Sequence, residues 1–279
     1  MWAAFYSLRK RKTMTDVLAQ NPYAAPGSAL QEQTAQAAVP SIEEALSRGY
    51  DFEIGGLMSE AWRLVSGTKG IIIGGLVVMY VALWALMSLL SMLGMAGFAG
   101  VLGIGMLGGG AGSGFTLLAL LFGFLVFTLL STAIAYPFMA GISMVGIRRA
   151  AGQPVRFNEL FSHFGRTVPV IVTALLMTLL TTIGYLLFVI PGIYLAFCYV
   201  LAIPLVVERG LSPWQALEAS RKAITQHWFK VFGLFLAVSV VMMLSAIPFG
   251  IGLIWTFPFA VLTLGVLYRI IFGVLPVPR

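Results

Sequence analysis

The chain has 279 residues, of which 59% are hydrophobic and 10% charged, with a mean hydropathy of +0.97. Soluble domains carry roughly 25% charged residues, so a water-soluble fold of this length is excluded for want of polar surface. The net charge of +7 does not point to nucleic acid, because the basic residues bracket apolar stretches, where they suit a membrane surface.

Residues 1–13 place a short apolar start before Arg9, Lys10, Arg11 and Lys12, the reverse of a signal peptide's order. Met14-Thr15-Asp16 reads as a second start, leaving Met1 or Met14 as the first residue of the native chain. Residues 14–45 are rich in Ala, Gln, Pro and Ser without an apolar period. Residues 1–49 as a whole read as a disordered cytoplasmic tail, with ordered structure beginning near Tyr50.

All 27 charged residues fall in segments 1–69, 148–166, 208–230 and 269–279. Between them lie charge-free stretches of 78, 41 and 38 residues, 70–147, 167–207 and 231–268. A single helix of the shortest would be about 57 Å long against a hydrocarbon core of roughly 30 Å, so each stretch must cross twice. Ten glycines between Gly94 and Gly114 divide the first stretch as an apolar connector. Pro191-Gly192 divides the second and Pro248-Phe249-Gly250 the third, since proline and glycine resist continuing a helix. The expected spans are 71–94, 116–147, 168–190, 193–207, 231–247 and 251–268, followed by a short tail at 273–279. With three hairpins all four charged segments share one side. They hold the 17 Lys and Arg as seven, four, four and two, and the opposite loops hold none. Positive residues flank spans on the cytoplasmic side, so both termini are expected in the cytoplasm, in a bacterial inner membrane.

An amphipathic piece precedes each hairpin. Ile54, Leu57, Met58, Ala61, Leu64 and Val65 repeat at helical spacing, with Glu60 and Arg63 off the stripe. Phe157, Leu160, Phe161 and Phe164 do the same over 157–164. Ser212-Pro213-Trp214-Gln215 reads as an N-cap, a first-turn proline and a capping box. Leu217, Ile224 and Trp228 follow on one face, and Glu218 pairs with Lys222 at i, i+4. The predicted fold is all-α: a polytopic transmembrane bundle of three hairpins over 50–272, each preceded by a cytoplasmic interfacial helix.

The expected spans contain no Asp, Glu, Lys, Arg or His, against the usual pattern of ion-coupled transport. His163 and His227 lack further ligands at metal-binding spacing. Ser131, Ser143, Ser239 and Ser245 have no histidine or lysine within the spans to activate them. The glycine run has no lysine to cradle phosphate, and Cys198 has no disulfide partner. No catalytic, metal or cofactor residues are therefore assigned. Arg148, Arg149, Arg156, Arg166, Arg221, Lys222 and Lys230 are the expected contacts to anionic lipid. Trp62, Trp214 and Trp228 are the expected interfacial anchors.

Residues 137–234 carry Pro137-Phe138-Met139-Ala140-Gly141-Ile142, Val155-Arg156-Phe157-Asn158-Glu159-Leu160-Phe161, Ile190-Pro191-Gly192-Ile193-Tyr194-Leu195 and Gly210-Leu211-Ser212-Pro213-Trp214-Gln215-Ala216-Leu217. These segments resemble a group of bacterial inner-membrane proteins that includes YciC-like proteins and the membrane domain of some glycerophosphoryl diester phosphodiesterases. The resemblance implies a polytopic inner-membrane protein. The phosphodiesterase's soluble catalytic barrel has no counterpart here, so its activity is not carried over. The expectation is a non-enzymatic membrane protein whose cytoplasmic helices contact membrane lipids or a partner. The alternative is a passive channel or carrier for a small uncharged or lipophilic solute. A protein partner or homo-oligomer is left open.

Overall fold

A computed structural model describes residues 39–107, 112–247 and 249–276. The start-site question, most of the expected tail and residues 277–279 lie outside them. The described chain is helical, with no strand among the described residues. The helices are α1 (Ile42–Arg48), α2 (Ile54–Val65), α3 (Lys69–Leu107), α4 (Gly112–Ala150), α5 (Thr167–Leu187), α6 (Val189–Cys198), α7 (Ala202–Arg209), α8 (Pro213–Gln226), α9 (Trp228–Ala246) and α10 (Leu253–Phe272). Among the described residues, six helical runs are long and apolar enough to cross a membrane: Lys69–Met92, Leu121–Ala150, Phe157–Leu187, Val189–Arg209, Trp228–Ala246 and Leu253–Phe272. From Pro40 onward they belong to one packed unit, in which α3 lies on α4, α5 on α6 and α9 beside α10.

Several boundaries differ from the sequence expectation, each for a local reason. α1 lies inside the stretch read as a tail. Ser41 caps it by accepting from the Glu44 N–H at 3.2 Å, with Glu43 and Glu44 in the first turn and Arg48 in the last, the charge order that a helix dipole favours. The glycine-rich connector is mostly helical, with α3 running to Leu107 and α4 starting at Gly112. A charge-free backbone in lipid has no water to bond, and a helix satisfies it internally. Residues 157–166 form two short 3₁₀ turns, Phe157–Leu160 and Phe164–Arg166, in place of the expected amphipathic helix. The backbone of Leu160 presses against Gly141, where a Cβ would sit 2.4 Å from the Leu160 carbonyl oxygen. Phe138 takes Phe161 and Phe164 edge-on, at centroid distances of 5.5 and 5.2 Å. This packing favours a tight turn over a regular helix.

The second reversal occurs at Phe188, in an extended conformation, and not at Pro191-Gly192. Pro191 sits in the first turn of α6, where a missing N–H costs nothing. Gly192 instead permits a close crossing: a Cβ there would lie 2.3 Å from the Tyr185 ring. The expected fourth span divides into α6 and α7, which Tyr199, Val200 and Leu201 separate. The third reversal falls as expected, through Phe249 and Gly250, both with positive φ. The observed helices also extend into the charged segments, so Lys69, Arg148, Arg149, Glu208, Arg209 and Arg269 stand at helix ends.

A close backbone-to-backbone contact joins α4 to α10. A Cβ on Gly265 would be 2.4 Å from the Gly146 carbonyl oxygen, and one on Gly146 2.8 Å from Val261. Small residues let two backbones approach this closely, the usual basis of helix packing in lipid. Around this crossing Leu262, Val266, Leu267, Ile147 and Leu205 form the main core.

Candidate functional site: the charged end of the bundle

Segments far apart in sequence converge where α2, α4, α7 and α10 end. The last carbonyls of an α-helix have no partner within the helix and carry partial negative charge. Here arginines from neighbouring elements close them. Arg149 of α4 donates to Ser66 O at the end of α2 (3.3 Å), and Arg269 of α10 donates to Ala150 O at the end of α4 (2.5 Å). Arg166 donates to Val206 O in the last turn of α7 (3.0 Å). Arg209 of α7 donates to Phe272 O, and Arg48 of α1 to Ile270 O and Ile271 O, at the end of α10. These contacts link all four charged segments.

The centre of this region is a buried acid–base group. Glu208 and Arg209 have side chains only 4% and 9% exposed and pair at 2.8 Å. Glu208 also accepts from the Tyr268 hydroxyl at 2.5 Å and from the Leu275 N–H at 2.6 Å. A carboxylate removed from water needs such partners. Arg209 extends the group to Pro40 O at 3.2 Å. Nearby, Arg269 makes a two-pronged pair with Glu60 at 2.7 and 2.9 Å, and Gln153 donates to Leu275 O.

α8 has the predicted start, with Pro213 at its first position and Gln215 accepting from the Ser212 N–H at 3.2 Å. Protein covers much of its apolar face: Ala216, Leu217, Ala223 and Ile224 are buried, and α8 packs on α5, α6 and α7. Its Ser220 is wholly buried at the α6–α7 break, donating to Cys198 O at 2.6 Å and accepting from the Leu201 N–H at 3.2 Å. One hydroxyl thus replaces helical bonding that the break removes. Glu218 holds both Arg221 (2.8 and 3.0 Å) and Lys222 (3.4 Å). The Arg221 hydrogen bond comes first in keeping the Glu218 carboxyl below its ordinary range.

Of the residues expected to meet anionic lipid, most have protein partners. Arg148 pairs with Glu159 at 3.1 Å and Lys230 with Asp51. The Lys230 hydrogen bond holds the Asp51 carboxyl below its usual range. Arg149, Arg166, Arg221 and Lys222 are engaged as described, while Arg156 is exposed and has no hydrogen-bond or ion-pair partner among the described residues. Of the expected anchors, Trp62 and Trp214 are 51% and 60% exposed. Trp228 instead stacks on Phe232 at 5.1 Å and lies beside Tyr194 and Phe197. Asp51, Phe52, Glu53, Ile54, Gly55 and Lys230 line an open groove.

His163 contacts Ser162 Oγ and Glu159 O through Nδ1, and His227 meets the Tyr50 ring edge-on. No group of three His, Cys, Asp or Glu able to share a metal ion occurs among the described residues. Ser131, Ser143, Ser239 and Ser245 each donate to the carbonyl four residues earlier at 2.7 Å. Sequence reasoning missed the roles of Glu208, Arg209, Tyr268 and Ser220. A basic residue in the last turn of a span was a partial signal, but it did not say whose carbonyls the side chain would reach. No protein-family model, no curated protein and no solved structure matches the chain.

Proposed function

We propose that the chain is a six-span inner-membrane protein of three hairpins with both termini in the cytoplasm. Its charged end is a non-catalytic platform that binds lipid or a partner and organises the adjoining membrane. The observation carrying this reading is the convergence of all four charged segments on one end, where arginines close the helix ends. One-sided positive charge marks the cytoplasmic face. The remaining surface supports the same reading: Trp84, Leu186, Phe188, Ile190 and Met243 are exposed without apolar cover from the described protein, as lipid-facing side chains are. The polar groups at the charged end join helices to one another, which suits a scaffold. The resemblance to YciC-like inner-membrane proteins adds to it.

Sidedness is tested with single cysteines in a Cys198→Ala background. Ile251→Cys should react with an impermeant thiol reagent added to intact cells with the outer membrane permeabilised. Val274→Cys should react only once the inner membrane is opened. Labelling of Val274→Cys from outside would overturn the orientation.

A further inference from the structure

We infer that the open groove between the starts of α2 and α9 binds a phospholipid headgroup carrying both a phosphate and a primary ammonium. Lys230 takes the phosphate, and Glu53 and Asp51 take the ammonium. This rests on the reading above and specifies the lipid that its charged end takes. Asp51, Phe52, Glu53, Ile54, Gly55 and Lys230 line one space of about 580 Å³, within the roughly 300–1,000 Å³ of small-ligand sites. Lys230 stands in the first turn of α9, two residues after Trp228, and tryptophan marks headgroup depth.

The charges in this groove do not cancel. Lys230 donates to one Asp51 oxygen, which also accepts from the Phe52 N–H at 2.8 Å. The other Asp51 oxygen and the Glu53 carboxylate have no hydrogen-bond or ion-pair partner among the described residues. Gly55 and Gly56 follow Glu53 and put no side chain beside its oxygens. Asp51 and Lys230 are 69% and 45% exposed, and a pair so open to water holds weakly. Lys230 therefore has donors to turn to a phosphate. Two carboxylates against one ammonium repel a headgroup that is anionic overall and attract one that brings its own cation. A primary ammonium donates three hydrogen bonds and a quaternary one none, which selects ethanolamine over choline.

The groove also adjoins lipid-facing surface. Gly233 lies one turn after Lys230, and its Cβ position is 3.5 Å from Ile54 Cδ1, which ties the apolar wall of the groove to α9. Beside that face Phe229, Leu236, Val240 and Met243 recur at helical spacing, all exposed. This stripe begins next to Lys230 and runs toward the opposite end of α9, where the acyl chains of a bound lipid would lie.

The test uses the full chain in phosphatidylcholine bilayers with a trace of photoreactive lipid. Phosphatidylethanolamine, phosphatidylcholine and phosphatidylglycerol probes carry the same diazirine acyl chain, and crosslinked peptides are read by mass spectrometry. Labelling of 229–243 is divided by labelling of 77–87, the outward face of α3. That ratio should be about five times higher for the phosphatidylethanolamine probe than for the other two at low salt, and Glu53→Gln and Lys230→Gln should each lower it by a similar factor. The pair R221Q/K222Q, whose side chains belong to Glu218, should leave it unchanged. Equal ratios for the three probes, a preference for phosphatidylglycerol, or a preference that Glu53→Gln or Lys230→Gln leaves intact would overturn the inference. With equal ratios, protection of Glu53 from a water-soluble carbodiimide by oligolysine would assign the groove to a basic peptide instead. Both substituted side chains are exposed, and unchanged labelling of 77–87 shows that a variant is still inserted. Labelling of both helices without headgroup preference separates failure of this inference from failure of the membrane reading. Both leaflets contain the probes, so the result does not depend on orientation.

Discussion

α3 and α10 are both apolar enough to cross a membrane, yet their surroundings are opposite. Over the most apolar window of each, 17% of α3 is buried against 61% of α10, although α10 is the less hydrophobic of the two. α10 buries Thr256, Thr263, Gly265 and Tyr268, while α3 turns Tyr80, Val81, Trp84 and Met87 outward. In water the more apolar helix would be expected inside. In lipid, apolar side chains gain little from meeting protein, so close backbone packing and hydrogen bonds decide which helix is central. The least apolar span is therefore the best guide to the core of this protein.

That contrast can be broken by substitution. The largest effect is expected at the end of α10, where Arg209→Ala would leave the enclosed Glu208 carboxylate without its cation. The cost should be about 3–5 kcal/mol, the range for breaking a buried pair by removing one partner, read from denaturant unfolding in detergent. Unchanged stability would mean that Tyr268 and the Leu275 N–H suffice for the carboxylate. Gly265→Leu comes next, because its Cβ would overlap the Gly146 carbonyl. Overpacking of this kind should cost at least about 1–3 kcal/mol. Trp84→Leu on α3 should stay within about 0.5 kcal/mol, and an equal loss at the two positions would erase the distinction between the helices.

Ser220→Ala sharpens the same point at the α6–α7 break. It leaves the Leu201 N–H without its bond, and about 1–3 kcal/mol is expected, whereas Ser239→Ala on α9, which releases only a hydroxyl from its own helix, should change little. The smallest effect is the pH response of the exposed pairs. The folded-state pKa values of Asp51 and Glu218 are lowered by Lys230 and Arg221. The stability these pairs contribute is therefore present above the ordinary carboxylate range and lost as pH falls through the lowered values. Lys230→Gln should flatten that acid-side loss, and a response unchanged by the substitution would remove Asp51 from the account.

Much of the chain was legible because the signals were local. The limits of α2 followed from its apolar spacing, and the start of α8 from Ser212, Pro213 and Gln215. The third reversal followed from Phe249 and Gly250, and the Glu218–Lys222 pair from its spacing. Other features depended on distant residues. Pro191-Gly192 looked like a turn, but Gly192 is small because Tyr185 lies against it. The phenylalanines of 157–164 had helical spacing, but Phe138 and Gly141 fit a 3₁₀ turn. Nothing local marked Ser220, whose partners, Cys198 O and the Leu201 N–H, lie at the break between two other helices.

Helical structure, apolar length for six crossings and the gathering of charge into four segments could all be read along the chain. These follow from hydropathy and from the backbone's need for internal hydrogen bonds in lipid. Which arginine closes which helix and which helix is central depended on how the helices pack. A guanidinium reaches whichever carbonyl the packing brings within about 3 Å, and packing here turns on backbone contacts such as Gly146 with Gly265, between residues more than a hundred positions apart.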